Sequence, residues 1–213
     1  MDYYSIRLNK NSSDRKKTWI ALSKYLSRYI PSNSTVLDIA AGECLFINNI
    51  VAGKKFAVDS DERLKFFADK NVQIKVCNAL DLLNFKLLKR EGIDVVFSSN
   101  FLEHLSMIEC QQLLRKIMQI LNKGGLIILM QPNYRYCYKN YWDDFTHKTA
   151  FSHTSLVELL LSEGYKIKKC YRKFMPLTLN SSLASLSFLV PIYLRSPFKP
   201  MAGQMLIVAE KIN

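Results

Sequence analysis

Two carboxylates and a run of small residues are the first features of this chain that could do chemistry. Asp38 falls at the end of the apolar segment around Val36, Leu37 and Ile39, and Ala40, Ala41 and Gly42 follow directly. A carboxylate at a strand end beside a tight small-residue turn suits a ligand that carries an ammonium group. A dinucleotide would call for Gly-x-Gly-x-x-Gly, whose bare backbone closes on a pyrophosphate at a helix N-terminus. This turn has one glycine, Gly42. Asp59 ends a second apolar segment, Phe56-Ala-Val58, about 21 residues beyond Asp38. At that interval an acidic side chain meets ribose hydroxyls in βαβ nucleotide sites, and a carboxylate accepts from both the 2′- and 3′-hydroxyls. Asp61 competes for the role, and either acid could instead cap the helix that follows.

These groups need elements to position them, and hydrophobic periodicity supplies those elements. Val36 to Ile39 reads as a buried strand, and Leu45, Phe46, Ile47 and Ile50 open a helical pattern after the turn. Upstream, Asp14 to Ile30 places Trp19, Ile20, Leu22, Tyr25, Leu26 and Tyr29 at helical spacing. Strands are predicted at 55–58, 72–76, 93–97, 126–130, 165–174 and 204–209. Helices are predicted at 62–69, 108–121 and 153–164, with Asn122-Lys-Gly-Gly125 offering a left-handed cap to the second of these. Alternating strands and helices imply a doubly wound α/β fold. The 213 residues suffice for one sizeable core. We divide the chain into an N-terminal arm and helix at 1–33 and a single main domain at 34–213, with insertions at 133–152 and 176–200. The arm carries Tyr3, Tyr4 and Arg7 and could fold over a site or stay disordered.

Composition narrows the partners. A net charge of +12 favours an anionic partner, either nucleic acid, an anionic membrane surface or a phosphate-bearing small molecule. The five cysteines form no Cys-x-x-Cys pair, which suggests a reducing compartment and no zinc site. His104, His147 and His153 lack metal-ligand spacing on a common helical face, so no metal is expected. The N-terminus shows no signal pattern, which gives a cytoplasmic expectation. The longest apolar run of the 176–197 segment, Phe188 to Leu194, is far shorter than the roughly 18 residues that span a bilayer. That segment could be a helical cover, a dimer contact or a surface lying on a membrane beside Arg195 and Lys199.

The stretch Thr35 to Phe46 resembles the first motif of class I S-adenosylmethionine-dependent methyltransferases, acidic-x-Gly-x-Gly-x-Gly, with Asp38, Ala40, Gly42 and Cys44 at its four marked positions. Two glycines are thus replaced. Alanine is tolerated if its φ stays negative, whereas Cys44 adds a side chain where the family keeps the loop bare. The resemblance extends to Ser98-Ser-Asn-Phe-Leu-Glu-His-Leu105, a Leu-Glu-His-Leu form common among small-molecule methyltransferases, and to the Lys-Gly-Gly, apolar strand, Pro succession at 123–132. It implies a Rossmann-like, seven-stranded doubly wound sheet with an antiparallel last strand, in a three-layer α/β/α arrangement. It implies S-adenosylmethionine as methyl donor and S-adenosylhomocysteine as product. Asp59 and Ser60 would then meet the ribose, Asn78 and Ala79 the adenine, and Asn100 and Phe101 would lie beneath the methionine portion.

Residues 133–152 turn aromatic and polar. If they form a loop beyond the strand ends, Asn133, Tyr134, Arg135, Tyr141 and Trp142 are substrate candidates for a polyhydroxylated or ring-bearing acceptor. The string Tyr141-Trp-Asp-x-x-x-His147 resembles methyltransferases found with polysaccharide-building enzymes, which points to a sugar, nucleotide-sugar or lipid-linked glycan. O-methylation would need a base for the hydroxyl proton, with His147, Asp144 and His104 as candidates in that order. RNA methylation would explain the charge instead. A NAD-dependent dehydrogenase shares the fold class but lacks the glycine pattern, and a non-catalytic binding protein would fit the altered motif.

Overall fold

The computed structural model describes residues 12–177 and 188–212. A seven-stranded sheet runs through its middle in the order β3-β2-β1-β4-β5-β7-β6. The strands are β1 (Thr35–Ile39), β2 (Lys54–Asp59), β3 (Val72–Val76), β4 (Ile93–Ser99), β5 (Leu121–Pro132), β6 (Tyr165–Tyr171) and β7 (Gln204–Lys211). The first five are parallel, and β7 runs antiparallel between β5 and β6. β1 is buried along its whole length because both faces are covered, which is why it reads as a near-continuous apolar run. The strand order reverses between β1 and β4. A doubly wound sheet has its ligand crevice at such a reversal, beyond the strand C-termini. Asp38, Asp59, Ser98 and Ser99 all stand at those ends.

The helices are α1 (Ser12–Leu26), α2 (Leu64–Phe67), α3 (Lys86–Glu91), α4 (Met107–Ile120), α5 (Tyr134–Tyr141), α6 (His153–Ser162) and α7 (Val190–Arg195). They divide the core in two. Leu113, Leu114 and Ile117 of α4 and Leu156 and Leu160 of α6 pack with Leu37, Ile39, Phe56 and Ile127. On the other face, Trp19, Leu22 and Leu26 of α1 pack with Phe46, Phe97, Ile128 and Leu206, and Leu194 of α7 joins them. Capping boxes fix two starts: Ser106 with Glu109 for α4, and Ser152 with Ser155 for α6.

Several boundaries depart from expectation for identifiable reasons. No α-helix follows the Asp38 turn; a single 3₁₀ turn, Ile47–Asn49, stands there. Its asparagines bond away from a helical ladder. Asn48 donates to the Phe67 carbonyl and accepts from the Asp69 amide, and Asn49 donates back to the Leu45 carbonyl. The predicted helix at 62–69 shrinks to α2. α4 passes directly into β5 through an extended Leu121, so the glycines do not cap it. Residues 122–125 loop out of register instead, since Ile93 pairs with Leu121 but Val95 with Leu126. β6 stops at Tyr171, and residues 134–141, expected as loop, form α5 with a kink at Cys137. The 176–198 segment contributes α7 as a cover on α1; its residues 178–187, and the arm at 1–11, lie outside the described residues. No helix among the described residues is long and apolar enough to cross a membrane.

α1 thus covers the flank where a helix after β1 was expected. Leu22 is fully buried and Ile20 is 51% exposed on the same helix. Leu22→Ala should cost about 2–5 kcal/mol in denaturant unfolding, and Ile20→Ala less than about 0.5 kcal/mol. Equal losses would mean that α1 does not seal the sheet as described.

Candidate functional site

The turn after β1 is held in an unusual backbone. Ala40, Gly42 and Cys44 have φ of 57°, 53° and 56°, so all three lie in the left-handed region. The condition under which alanine would be tolerated, a negative φ, is not met at Ala40, which takes the left-handed conformation at the cost that a Cβ brings there. Nor does the Cys44 side chain crowd the loop. It is 0% exposed and packs in the core beneath it. Burial and the neighbouring Asp38 push its thiol up to about 12. A Cβ at the Gly42 position would meet no atom of the described residues within 4 Å.

Asp59 anchors this turn. Its Oδ2 accepts from the Gly42 amide at 2.8 Å and its Oδ1 from the Asp61 amide at 2.9 Å. Asp38 is buried, and burial followed by the Asp59 charge raises its pKa well above the usual carboxylate range, against a hydrogen bond from the Ile47 backbone. From outside, Arg15 of α1 pairs with Glu43 in the turn, and burial lowers the guanidinium pKa despite that partner. The Asp61 carboxylate accepts from the Arg63 amide and guanidinium. Asn78 accepts from the Leu80 amide as an N-cap, and Ala79 is buried behind it. Ser60 is exposed at the end of β2.

At the end of β4, Asn100 also has a positive φ, 49°. Its amide donates to the Met130 carbonyl, and its Oδ1 accepts from Gln204 Nε2 at 2.8 Å. The Phe101 amide donates to Gln131 Oε1 at 3.2 Å. Gln131 Nε2 and Gln204 Oε1 are buried without a hydrogen-bond partner among the described residues. Neither glutamine stands out in the sequence, because each sits at the end of an ordinary apolar strand.

Beyond them the three proton-handling candidates meet. The rings of His104 and His147 lie 5.0 Å apart between centroids, and His147 Nε2 is 3.9 Å from Asp144 Oδ2. Thr146 ties the group together: its hydroxyl donates to Asp144 Oδ1 at 2.6 Å and accepts from His104 Nδ1 at 2.9 Å. The Lys148 and Thr149 amides donate to the Glu103 carbonyl, which joins the two stretches of chain. Glu103 itself, absent from the sequence candidates, is 2% exposed and its carboxyl is pushed up to about 8, chiefly by burial.

The expected acceptor residues divide. Asn133 is fully buried, with its amide bonded to His153 Nδ1 and the Arg172 carbonyl, and it caps α5. Tyr141 is also fully buried and its hydroxyl donates to the Thr149 carbonyl. Both therefore bond within the fold instead of facing solvent, unlike the exposed acceptor contacts expected. Trp142, 54% exposed, and Arg135 reach solvent, and Tyr134 is half-buried against the Tyr141 ring.

A family model described as a methyltransferase domain matches residues 37–129. Over that stretch, from β1 into β5, the chain is similar to such a domain. Solved structures share its whole fold. An S-adenosylmethionine-dependent methyltransferase from Archaeoglobus fulgidus is similar with a TM-score of 0.67 at 23% identity, covering 99% of this chain and 100% of that one. The N-methyltransferase NodS from Bradyrhizobium japonicum, in complex with S-adenosylhomocysteine, aligns with a TM-score of 0.63 at 12% identity over 97% and 91%. An S-adenosylmethionine-dependent methyltransferase from Mesorhizobium loti gives a TM-score of 0.60 at 15% identity over 90% and 98%. No curated protein matches the sequence.

S-adenosylmethionine is the methyl donor of such a domain, and the residues present fit it. The space over Gly42, the Asp59 carboxylate with lone pairs to spare, and the Gln131 and Gln204 atoms that have no partner among the described residues would offer it donors and acceptors. Relieving the strain at Ala40 tests the altered motif. Ala40→Gly should stabilise the protein by about 1 kcal/mol, whereas Cys44→Gly should not, because it also empties a core position. Thermal unfolding of the two variants checks this, and equal gains would show that the Cys44 side chain does not contribute to the core.

Proposed function

We propose that the chain methylates a hydroxyl oxygen on a sugar-bearing acceptor: a sugar, nucleotide-sugar or lipid-linked glycan. One observation carries the reading. His104, Asp144 and His147 converge beyond the end of β4, beside the Asn100–Phe101 turn, although about 40 residues separate the two stretches of chain.

When bound, the cofactor supplies a methyl group already activated on a sulfonium, so alignment and water exclusion are the main tasks left to the protein. Asp59 and the 40–44 turn would hold the nucleoside, and the Asn100–Phe101 turn would lie beneath the methionine portion. His147 Nδ1 donates to the Tyr141 carbonyl at 2.7 Å, which places its basic lone pair on Nε2. The His104–Asp144–His147 group is where an acceptor hydroxyl would give up its proton as the new bond forms. Exposed Trp142 and half-buried Tyr134 present aromatic faces to a sugar ring, and the +12 charge favours an acceptor bearing phosphate.

Titration calorimetry with S-adenosylhomocysteine, using NAD as control, comes first, followed by transfer of labelled methyl groups to a panel of sugar nucleotides. Asp59→Ala should weaken cofactor binding by at least about tenfold, from loss of a charge-assisted acceptor. His147→Ala should lower kcat by about 10²- to 10⁴-fold while leaving that binding unchanged. Transfer to an amine, or full activity in His147→Ala, would reject O-methylation.

A further inference from the structure

The geometry points to a divalent metal site formed by Glu103, His104 and His147. One potential ligand atom from each lies within 4.8 Å of the other two. Two ligands on a zinc ion at about 2.1 Å stand about 3.4 Å apart, so small side-chain rotations close the set.

Three independent features fit an ion. First, both imidazoles are oriented as ligands. The Thr146 hydroxyl must donate to the Asp144 carboxylate, so its oxygen accepts the His104 Nδ1–H; His147 Nδ1–H donates to the Tyr141 carbonyl. In its neutral form each ring therefore carries its lone pair on Nε2. Hydrogen bonding at the other ring nitrogen is what fixes the tautomer and direction of a metal-binding histidine. Second, Glu103 Oε2 is buried with no hydrogen-bond partner among the described residues. A buried carboxylate oxygen is stabilised by pairing or by a metal. Third, Asp144 adds a second buried carboxylate, 3.9 Å from His147 Nε2, so the group matches a double positive charge.

Two imidazoles and a carboxylate suit a first-row ion such as zinc, cobalt or manganese better than magnesium or calcium, which take oxygen ligands. Three protein ligands leave a coordination position for water or an acceptor oxygen. The existence of the site is independent of the acceptor proposed above. Only its use rests on that reading: the ion would bind the acceptor hydroxyl, and its proton would pass to the Asp144 carboxylate, which is not among the three ligands.

Chelator-treated full-length protein should take up one Zn²⁺ per chain in titration calorimetry. Co²⁺ should give a visible d–d spectrum without the thiolate charge-transfer band that binding to cysteine produces. His147→Gln and Glu103→Gln should abolish one-to-one uptake, Thr146→Val should weaken it by about tenfold through loss of the His104 orientation, and Cys170→Ser should leave it intact. Absence of saturable uptake by the unaltered protein, a thiolate band, or unchanged uptake in both ligand variants would overturn the site. S-adenosylhomocysteine binding on the same samples separates the two readings: cofactor binding without metal uptake sinks the metal site alone.

Discussion

The hydrogen bond from the Gly42 amide to the Asp59 carboxylate ties the end of β1 to the end of β2, and the rest of the site is arranged around that tie. It places two acids at adjoining strand ends inside the protein, a costly arrangement without compensation. Compensation is divided. Asp59 receives two backbone amides, Asp38 shifts toward its neutral form, and Arg15 neutralises Glu43 on the outside. The left-handed backbone at 40, 42 and 44 is the geometric counterpart of the same closure. Where the usual first helix would start, this chain has only a 3₁₀ turn. The cradle therefore relies on fixed amides and carboxylates rather than on a helix dipole, which suits a cationic ligand better than a pyrophosphate.

Much of this was legible because it is local. Buried parallel strands announce themselves as apolar runs, as Val36–Ile39 and Ile93–Phe97 do, and the acids that end them are placed by the same pattern. The 3.6 period of α1 and α4 was equally plain. What was hidden depends on closure or distance. Nothing in Ala40 or Cys44 announces a positive φ, because the backbone around them imposes it. The missing helix at 45–50 has the right apolar spacing, and only the bonds of Asn48 and Asn49 to distant or out-of-ladder groups show why it fails.

The catalytic candidates illustrate the second difficulty. A search for ligand spacing on one helix misses His104 and His147, since the pair forms only when the stretch after α5 folds back onto the Glu103 carbonyl. Glu103 sits in a recognisable tetrapeptide, yet its burial is a property of the tertiary fold. Conversely, Asn133 and Tyr141 looked like acceptor contacts because polar and aromatic residues cluster there. Their hydrogen-bonding groups turned inward, and α5 is the wall of the site more than its contents.

β6 gives the chain's strong positive charge a second meaning. It is an outer strand of the sheet and carries Lys166, Lys168 and Lys169 within seven residues, all exposed. An unpaired strand edge is a template on which another chain can extend the sheet, and lysines there make a stacked copy repel its neighbour. The densest basic run in the sequence, which invites a search for an anionic partner, therefore also opposes the addition of a second copy at this edge.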